Sequence, residues 1–546
     1  MPITEMLAGN AERYGDKICL TEINPEQEEK QGKAWKELAL VEAAHNIRYR
    51  KELTWRSFDE KANQFAHLLM ERGVKRGDKV GILLMNCIEW LPVYFGVLKS
   101  GAIAVPINFR YSSDEIKYSL DLANVSVLVL GAEFIDRIHA IKNDIPGVGS
   151  LFFVGDDCPD FAERYVSLAA SQPTHAPDIT LSDEEDAAIY FSSGTTGKPK
   201  AILHSHRSLV MSCKVEQNHH SQTFSDVFLC IPPLYHTGAK MHWFGSLLTG
   251  GSAVLLRGVR PQWIIETVAN ERVTIVWLLV PWAQDILDAI ESGEIDLANH
   301  DLSVWRLMHI GAQPVPTSLI RRWKKIFPNH QYDTNYGLSE SCGPGAVHLG
   351  VENLHKVGAI GKAGCGWQTK IVDERGEAVR PGGVGELILR GDSVMNGYYK
   401  DPEATAATLK NGWLYTGDMA CEDEDGFIFL VDRKKDVVIT GGENIYPVQI
   451  EDFLRGCDKI KDAAVIGLAD HRLGEVAAAI IETKPGVECS EEDIQQFCLQ
   501  LPRYKRPHKI FFDSVPRNAT GKIEKPKLRE KYCGGSIVKQ QIENEV

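Results

Sequence analysis

No two of the twelve cysteines stand closer than Cys489 and Cys498, nine residues apart, and no CxxC pair occurs. That argues against a zinc ribbon or a thioredoxin-like redox motif and predicts scattered, reduced thiols. No run of 18 apolar residues is present, so no transmembrane helix is expected. The opening MPITEMLAGNAERYGDK has early charges and no apolar core of signal-peptide length, which makes a cytoplasmic location the expectation. Positive charge is in deficit: 60 Lys and Arg face 74 Asp and Glu, for a formal net charge of −14. Such a chain is a poor general binder of nucleic acid or anionic membrane. Internal repeats and low-complexity tracts are missing as well.

What is present is a soluble globular composition, 44% hydrophobic and 25% charged. At 546 residues the chain exceeds one ordinary domain. Phe58, Ala62, Phe65, Ala66 and Leu69 recur at helical spacing, with Ser57 and Glu60 as the expected capping box. Buried strands are predicted at Val80 to Met85, at IAVPIN, and at Ser126 to Gly131. Others follow at Ala187 to Phe191, Ala201 to Ser205 and Thr274 to Val280, with a helix over Glu89 to Lys99. Strands alternating with helices predict βαβ units and a mostly parallel sheet. Asn24 to Tyr49 reads as an insertion, a polar loop followed by a short amphipathic helix at AWKELALVEAAHN. Past residue 380, turn-rich stretches such as RPGGVGELILRG and DEDGFIFLVDR predict a meander of short antiparallel strands. The last hundred residues form an α+β pattern: a helix at Val448 to Arg455, strands at AAVIGL and VAAAIIE, a capped helix from Ser490 and a strand from Ile510. The fold class is therefore α/β. A large N-terminal domain, residues 1–432, holds mixed and parallel sheets, helices and a small barrel-like subdomain. A small α+β domain, 433–546, follows, with the boundary near Asp432 to Asp436.

The strongest local signal is YFSSGTTGKPK. Ser192, Ser193, Gly194, Thr195, Thr196, Gly197 and Lys198 offer backbone N–H groups, hydroxyls and a cation to a polyphosphate. It is not a Walker loop: Gly194 and Gly197 are three apart, and Pro199 follows Lys198. On composition alone such a stretch is more often just a flexible loop.

Further motifs follow in order: PPLYHTG, IGAQP, NYGLSE, GELILRG, GYYKDPEAT, GWLYTGD, DRKKDVVITGGENIYP and RNATGKIEK. Over Leu53 to Lys527 this ordered set resembles the adenylate-forming (AMP-binding) superfamily, in its acyl-CoA synthetase and aryl-CoA ligase branch. The resemblance implies two half-reactions. A carboxylate attacks the α-phosphate of ATP to give an acyl-adenylate and pyrophosphate; a thiol then takes the acyl group and releases AMP.

The resemblance implies a role for each matching residue. Lys522 would be the catalytic lysine, stabilising charge as two anions meet. Glu340, with Thr195, would attend Mg²⁺. Asp418 would accept from the ribose hydroxyls, with Arg433 beside it. Gly311, Ala312, Gln313, Asn335, Tyr336, Gly337 and Ser339 would flank the nucleotide, and His236 would stand at the acyl gate. The C-terminal domain would be mobile, turning about Lys435 to bring Gly441, Gly442 and Glu443 to CoA, with Arg472 on its phosphates. The acyl pocket is expected from His236, Thr237, Gly238, Trp282, Leu338, Cys342 and Gly343, whose glycines suggest room for a medium-chain, alicyclic or aromatic acid. Lys240 is a cation in an apolar stretch; it either pairs with a second polar group of the acid or snorkels to solvent. The expected activity is ATP-dependent acyl-CoA ligation with ATP, Mg²⁺ and CoA. The alternatives are an adenylating enzyme that loads a separate carrier protein and a catalytically silent nucleotide-binding protein. The short stretch after Lys522 leaves no room for a carrier domain, which favours free CoA. A homodimer is compatible with the sequence.

Overall fold

The computed structural model describes residues 1–25, 33–36, 39–42, 50–192, 199–311, 315–348, 354–440, 443–517 and 523–533, the side chains of 33–42 and of Met241 and His242 excepted. Two large sheets carry the N-terminal part. One has seven strands, running in space from Gln331–Asp333 through Leu307–Gly311, Ile275–Leu279, Val227–Cys230, Ser252–Leu256 and Ile18–Ile23 to Arg50–Thr54. Every pair in it is parallel except the last. The other has eight strands and is parallel from Asp186–Ser192 outward through Ile103–Pro106, Lys79–Leu83 and Val125–Gly131. These strands are near-continuous apolar runs because helices cover both faces. Trp55, Phe58, Phe65, Phe95 and Trp243, all fully buried, form the aromatic centre between the sheets.

The helix predicted from Phe58 spans Trp55–Glu71, but its capping box is Thr54 with Ser57 rather than Ser57 with Glu60. Thr54 lies one turn earlier, and its Oγ1 accepts from the Ser57 N–H while Ser57 Oγ takes the Thr54 N–H at 2.9 Å. The insertion is also different from expectation. Lys33–Lys36 pairs antiparallel with Ala39–Glu42, Trp35 opposite Leu40. An isolated helix of that length would be marginal, whereas a hairpin satisfies its backbone across two short strands.

A smaller antiparallel assembly follows, with Gln368–Val372, Gly385–Arg390, Trp413–Glu422 and Ile428–Arg433 as its main strands. The C-terminal part has its own five-stranded sheet, built on the long hairpin Ile460–Asp470 with Gly474–Thr483. Helices Pro447–Arg455 and Glu491–Cys498 cover one face of it, each starting from a device the sequence signals: Pro at the first turn, and a Ser490–Asp493 capping box. All twelve cysteines are unpaired. Among the described residues no helix is long and apolar enough to cross a membrane.

Candidate active site

Strand register assembles the centre of the site. Asp418 on Trp413–Glu422 stands opposite Arg433 on Ile428–Arg433. Arg433 Nε donates to Asp418 Oδ1 at 2.9 Å, and the Tyr336 hydroxyl donates to Asp418 Oδ2 at 2.5 Å. Asp418 is buried, so both oxygens have a protein donor while each keeps a second lone pair. The Asp418 charge lifts the Arg433 guanidinium above its ordinary pKa, with smaller support from Tyr336, Asp436 and Glu340. Burial, then the Asp418 charge, pushes the Tyr336 phenol up.

Glu340 sits in the single 3₁₀ turn Ser339–Ser341, pinned from three sides. Its carbonyl takes the Met395 N–H at 2.8 Å, and its carboxylate takes the Tyr398 hydroxyl at 2.9 Å. The Ser339 carbonyl accepts from His204 Nε2 at 2.8 Å, and burial lowers that imidazole to about 4. Lys200 lies 4.8 Å from the Tyr398 ring centroid. Tyr398 lies within the motif GYYKDPEAT and His204 within the predicted strand Ala201 to Ser205, yet the sequence singles out neither.

Other expected residues divide. Ser192 ends its strand in register with Lys200, so the Ser/Thr/Gly stretch joins two antiparallel strands instead of entering a helix. Gly311 ends Leu307–Gly311, and Gly337 ends Asn335–Gly337. Asn335 turns its amide toward Glu216 Oε1 at 3.3 Å. His236 is the N-cap residue of helix Thr237–Thr249, half-buried with its ring 4.3 Å from Tyr235. Lys435, Glu443 and Arg472 are exposed. Ser193 to Lys198, Ala312, Gln313, Gly441, Gly442 and Lys522 lie outside the described residues. Arg517 and Ile523, which bracket 518–522, form an antiparallel bridge, and Arg517 pairs with Asp462 at 2.7 Å.

One expectation among the residues expected at the acyl pocket is corrected, and it concerns Lys240. A side chain at Gly238 would meet the Trp277 ring at 3.0 Å, at Gly343 the Ser212 hydroxyl at 3.0 Å, and at Gly337 the Gly343 carbonyl at 2.7 Å, so these glycines let the chain's own residues approach closely. Only Gly311 keeps its neighbours at 3.7 Å or beyond. Thr237 and Cys342 are buried, Leu338 packs on the barrel-like core, and Trp282 packs against both large clusters. Lys240 does not snorkel. It is fully buried, donates to the Leu234 carbonyl at 2.6 Å, and lies 4.3 Å from the Tyr190 ring and 5.0 Å from that of Trp90.

The segment Asp432 to Asp436 grips both parts of the molecule. Asp432 accepts from the Val448 N–H at 2.9 Å and Asp436 pairs with Arg529 at 2.6 Å, both on the C-terminal side. Arg433 and Lys434 reach back to Asp418 and Glu386, the latter at 3.1 Å.

Tyr336, Asp418 and Arg433 thus come together where the barrel-like assembly leads into the C-terminal part. The chain belongs to the AMP-binding enzyme family: the model of that name matches residues 28–399, and the AMP-binding enzyme C-terminal domain model matches 449–522. It is 32% identical over 497 residues to the long-chain-fatty-acid–CoA ligase FadD13 of Mycobacterium tuberculosis, covering 90% of this chain and 95% of that one. It is also 32% identical over 497 residues to the 3-[(3aS,4S,7aS)-7a-methyl-1,5-dioxo-octahydro-1H-inden-4-yl]propanoyl:CoA ligase of Rhodococcus jostii, covering 88% and 93%. Among solved structures, the anthranilate CoA ligase AuaEII in complex with anthranoyl-AMP superposes with a TM-score of 0.83 at 26% identity, over 97% of each chain.

Proposed function

We propose that the protein is an AMP-forming acyl-CoA ligase: it activates a carboxylic acid with ATP, releases pyrophosphate, and passes the acyl group to CoA with release of AMP. The observation that carries this reading is the convergence of Tyr336, Asp418 and Arg433, with Glu340 held in the same field. Asp418 offers its remaining lone pairs to ribose hydroxyls, and Arg433 adds a fixed positive charge toward phosphate. Glu340 presents a hard carboxylate on a rigid turn, which fits Mg²⁺, and Thr195 would share it. When bound, that ion neutralises phosphate charge. Lys522 meets the carboxylate and α-phosphate, and His236 positions the acid at the gate. Ser192 to Lys198 and Gly311 to Gln313 line the nucleotide. Residues 1–432 and 433–546 act as separate bodies about Lys435, with Glu443 and Arg472 on the CoA side.

The test is pyrophosphate release across a panel of acids, with and without CoA, and with the nucleotide product identified. Acid-dependent release with AMP formed and turnover sustained by CoA is the expected result. Release indifferent to CoA would point to a carrier-protein acceptor. ADP as product, or silence with every acid, would sink the reading.

A further inference from the structure

Strand register and one helix end bring four metal-ligating side chains together, apart from the cluster of Tyr336, Asp418 and Arg433. His309 on Leu307–Gly311 is the in-register neighbour of Asp333 on Gln331–Asp333, a parallel pair that presents both side chains on one face. His219 closes helix His206–His219 and His220 is its C-cap, so the turn off the helix delivers two successive imidazoles to the same place. All four residues are buried. One ligand atom from each lies within 4.8 Å of the other three. Two separations are much shorter. His219 Nε2 stands 3.0 Å from Asp333 Oδ2, and His220 Nε2 stands 3.2 Å from His309 Nδ1.

Those two spacings are close to the edges of a coordination tetrahedron. Ligand atoms around four-coordinate zinc lie roughly 3.3 Å apart. The longer separations close as the imidazoles turn about the Cβ–Cγ bond, a torsion with broad wells. Three imidazole nitrogens and one carboxylate oxygen suit Zn²⁺, whereas Mg²⁺ and Ca²⁺ take oxygen donors.

The groups behind the four side chains fit the same ion. With Nε2 of His220 given to the metal, its Nδ1 faces Glu216 Oε2 at 3.4 Å, and a carboxylate behind a ligating imidazole orients the ring. Asn335 donates to the other Glu216 oxygen at 3.3 Å. Asp333 Oδ1 accepts the Thr334 N–H at 2.8 Å, which fixes Oδ2 toward His219. The charges also match. A divalent ion with Asp333 leaves one positive charge, and Glu216 balances it, so no net charge is buried.

We propose that His219, His220, His309 and Asp333 bind one Zn²⁺ ion, at a place distinct from the one proposed for Mg²⁺ at Glu340. The chain supplies all four ligands, which is the arrangement of a structural zinc site. The ion pins the end of helix His206–His219 to the two strands that lead into Gly311 and Tyr336. The inference does not depend on the acyl-CoA ligase reading.

The test uses the full chain without a histidine tag, produced in minimal medium supplied with zinc or, in parallel, with cobalt. Metal content is measured after desalting, and the visible spectrum of the cobalt form is recorded. About one zinc per chain is expected, with the intense visible bands of four-coordinate cobalt and no near-ultraviolet charge transfer from a thiolate. His219→Gln and His309→Gln should each abolish those bands. Glu216→Gln should keep them while cobalt affinity, read by competition with a chelator, falls about 10- to 100-fold. His471→Gln, at a residue 95% exposed, should change nothing. If a ligand variant fails to fold, the metal content and spectrum of the wild type still decide. Wild-type protein without bound zinc would overturn the inference. So would faint six-coordinate cobalt bands, thiolate charge transfer, or bands that survive both ligand substitutions. The four side chains would then be hydrogen-bonded pairs and nothing more. Pyrophosphate release has no part in these readouts, so this inference and the ligase reading fail separately.

Discussion

Two lysines are buried in this molecule with opposite surroundings. Lys240, in the large part, has carbonyls and aromatic rings for company, and burial drives its ammonium well below the ordinary value of 10.5. Lys525, in the C-terminal part, pairs with Glu451 at 2.9 Å. Burial would lower it as well, but Glu451, Asp432 and Asp436 outweigh that and raise it. Burial alone does not decide the state of a charge; the counter-charges do. The two lysines therefore do different jobs. Lys240 fills space among Trp90, Tyr94 and Tyr190 and ties a helix start to the preceding loop. Lys525 is the cation that allows three carboxylates to meet where the two parts of the chain join.

Removing Lys525 should have the larger effect. Lys525→Met leaves Glu451, Asp432 and Asp436 without their shared cation, a loss of about 3–5 kcal/mol. The denaturant midpoint of the C-terminal transition reads it, and an unchanged midpoint would refute the account. Lys240→Met should cost far less, within about 1–2 kcal/mol, since it exchanges a desolvated ammonium for a thioether of similar length. A loss as large as that at Lys525 would show that the aromatic cage needs the charge. The same comparison can be sharpened with pH. Burial raises the Asp432 carboxyl to about 6 from an ordinary 3.8. Between those values the folded chain holds a proton that the unfolded chain has released, so this group's contribution falls as pH rises through that window. Asp432→Asn should flatten that component, seen as the difference in Tm between variant and wild type across the window. An unchanged difference would mean Asp432 is ionised throughout. Lys525 has the same sign in a higher window: its contribution is complete below 10.5 and is lost as pH rises through its raised folded value.

Much of this was legible in the sequence, for identifiable reasons. The parallel strands are continuous apolar runs, and the C-terminal helices carry their caps in plain view at Pro447 and Ser490. Tyr336, Asp418 and Arg433 were found through their motifs; that they contact one another needed the register of the antiparallel strands. The hairpin at Lys33–Lys36 was misread because KAWKELALVE fits a helical face as well as it fits alternation. At Gly238 the absent side chain makes way for Trp277, a neighbour the sequence does not place there.

The bridge between Arg517 and Ile523 has a mechanical consequence. It anchors both roots of the 518–522 segment to one sheet, and Arg517 is bolted there again through Asp462. The stretch Asp432 to Asp436 is likewise held by four separate side-chain grips, two on each of the parts it joins. Slackening a single grip leaves the other three in place, so the junction is tied redundantly.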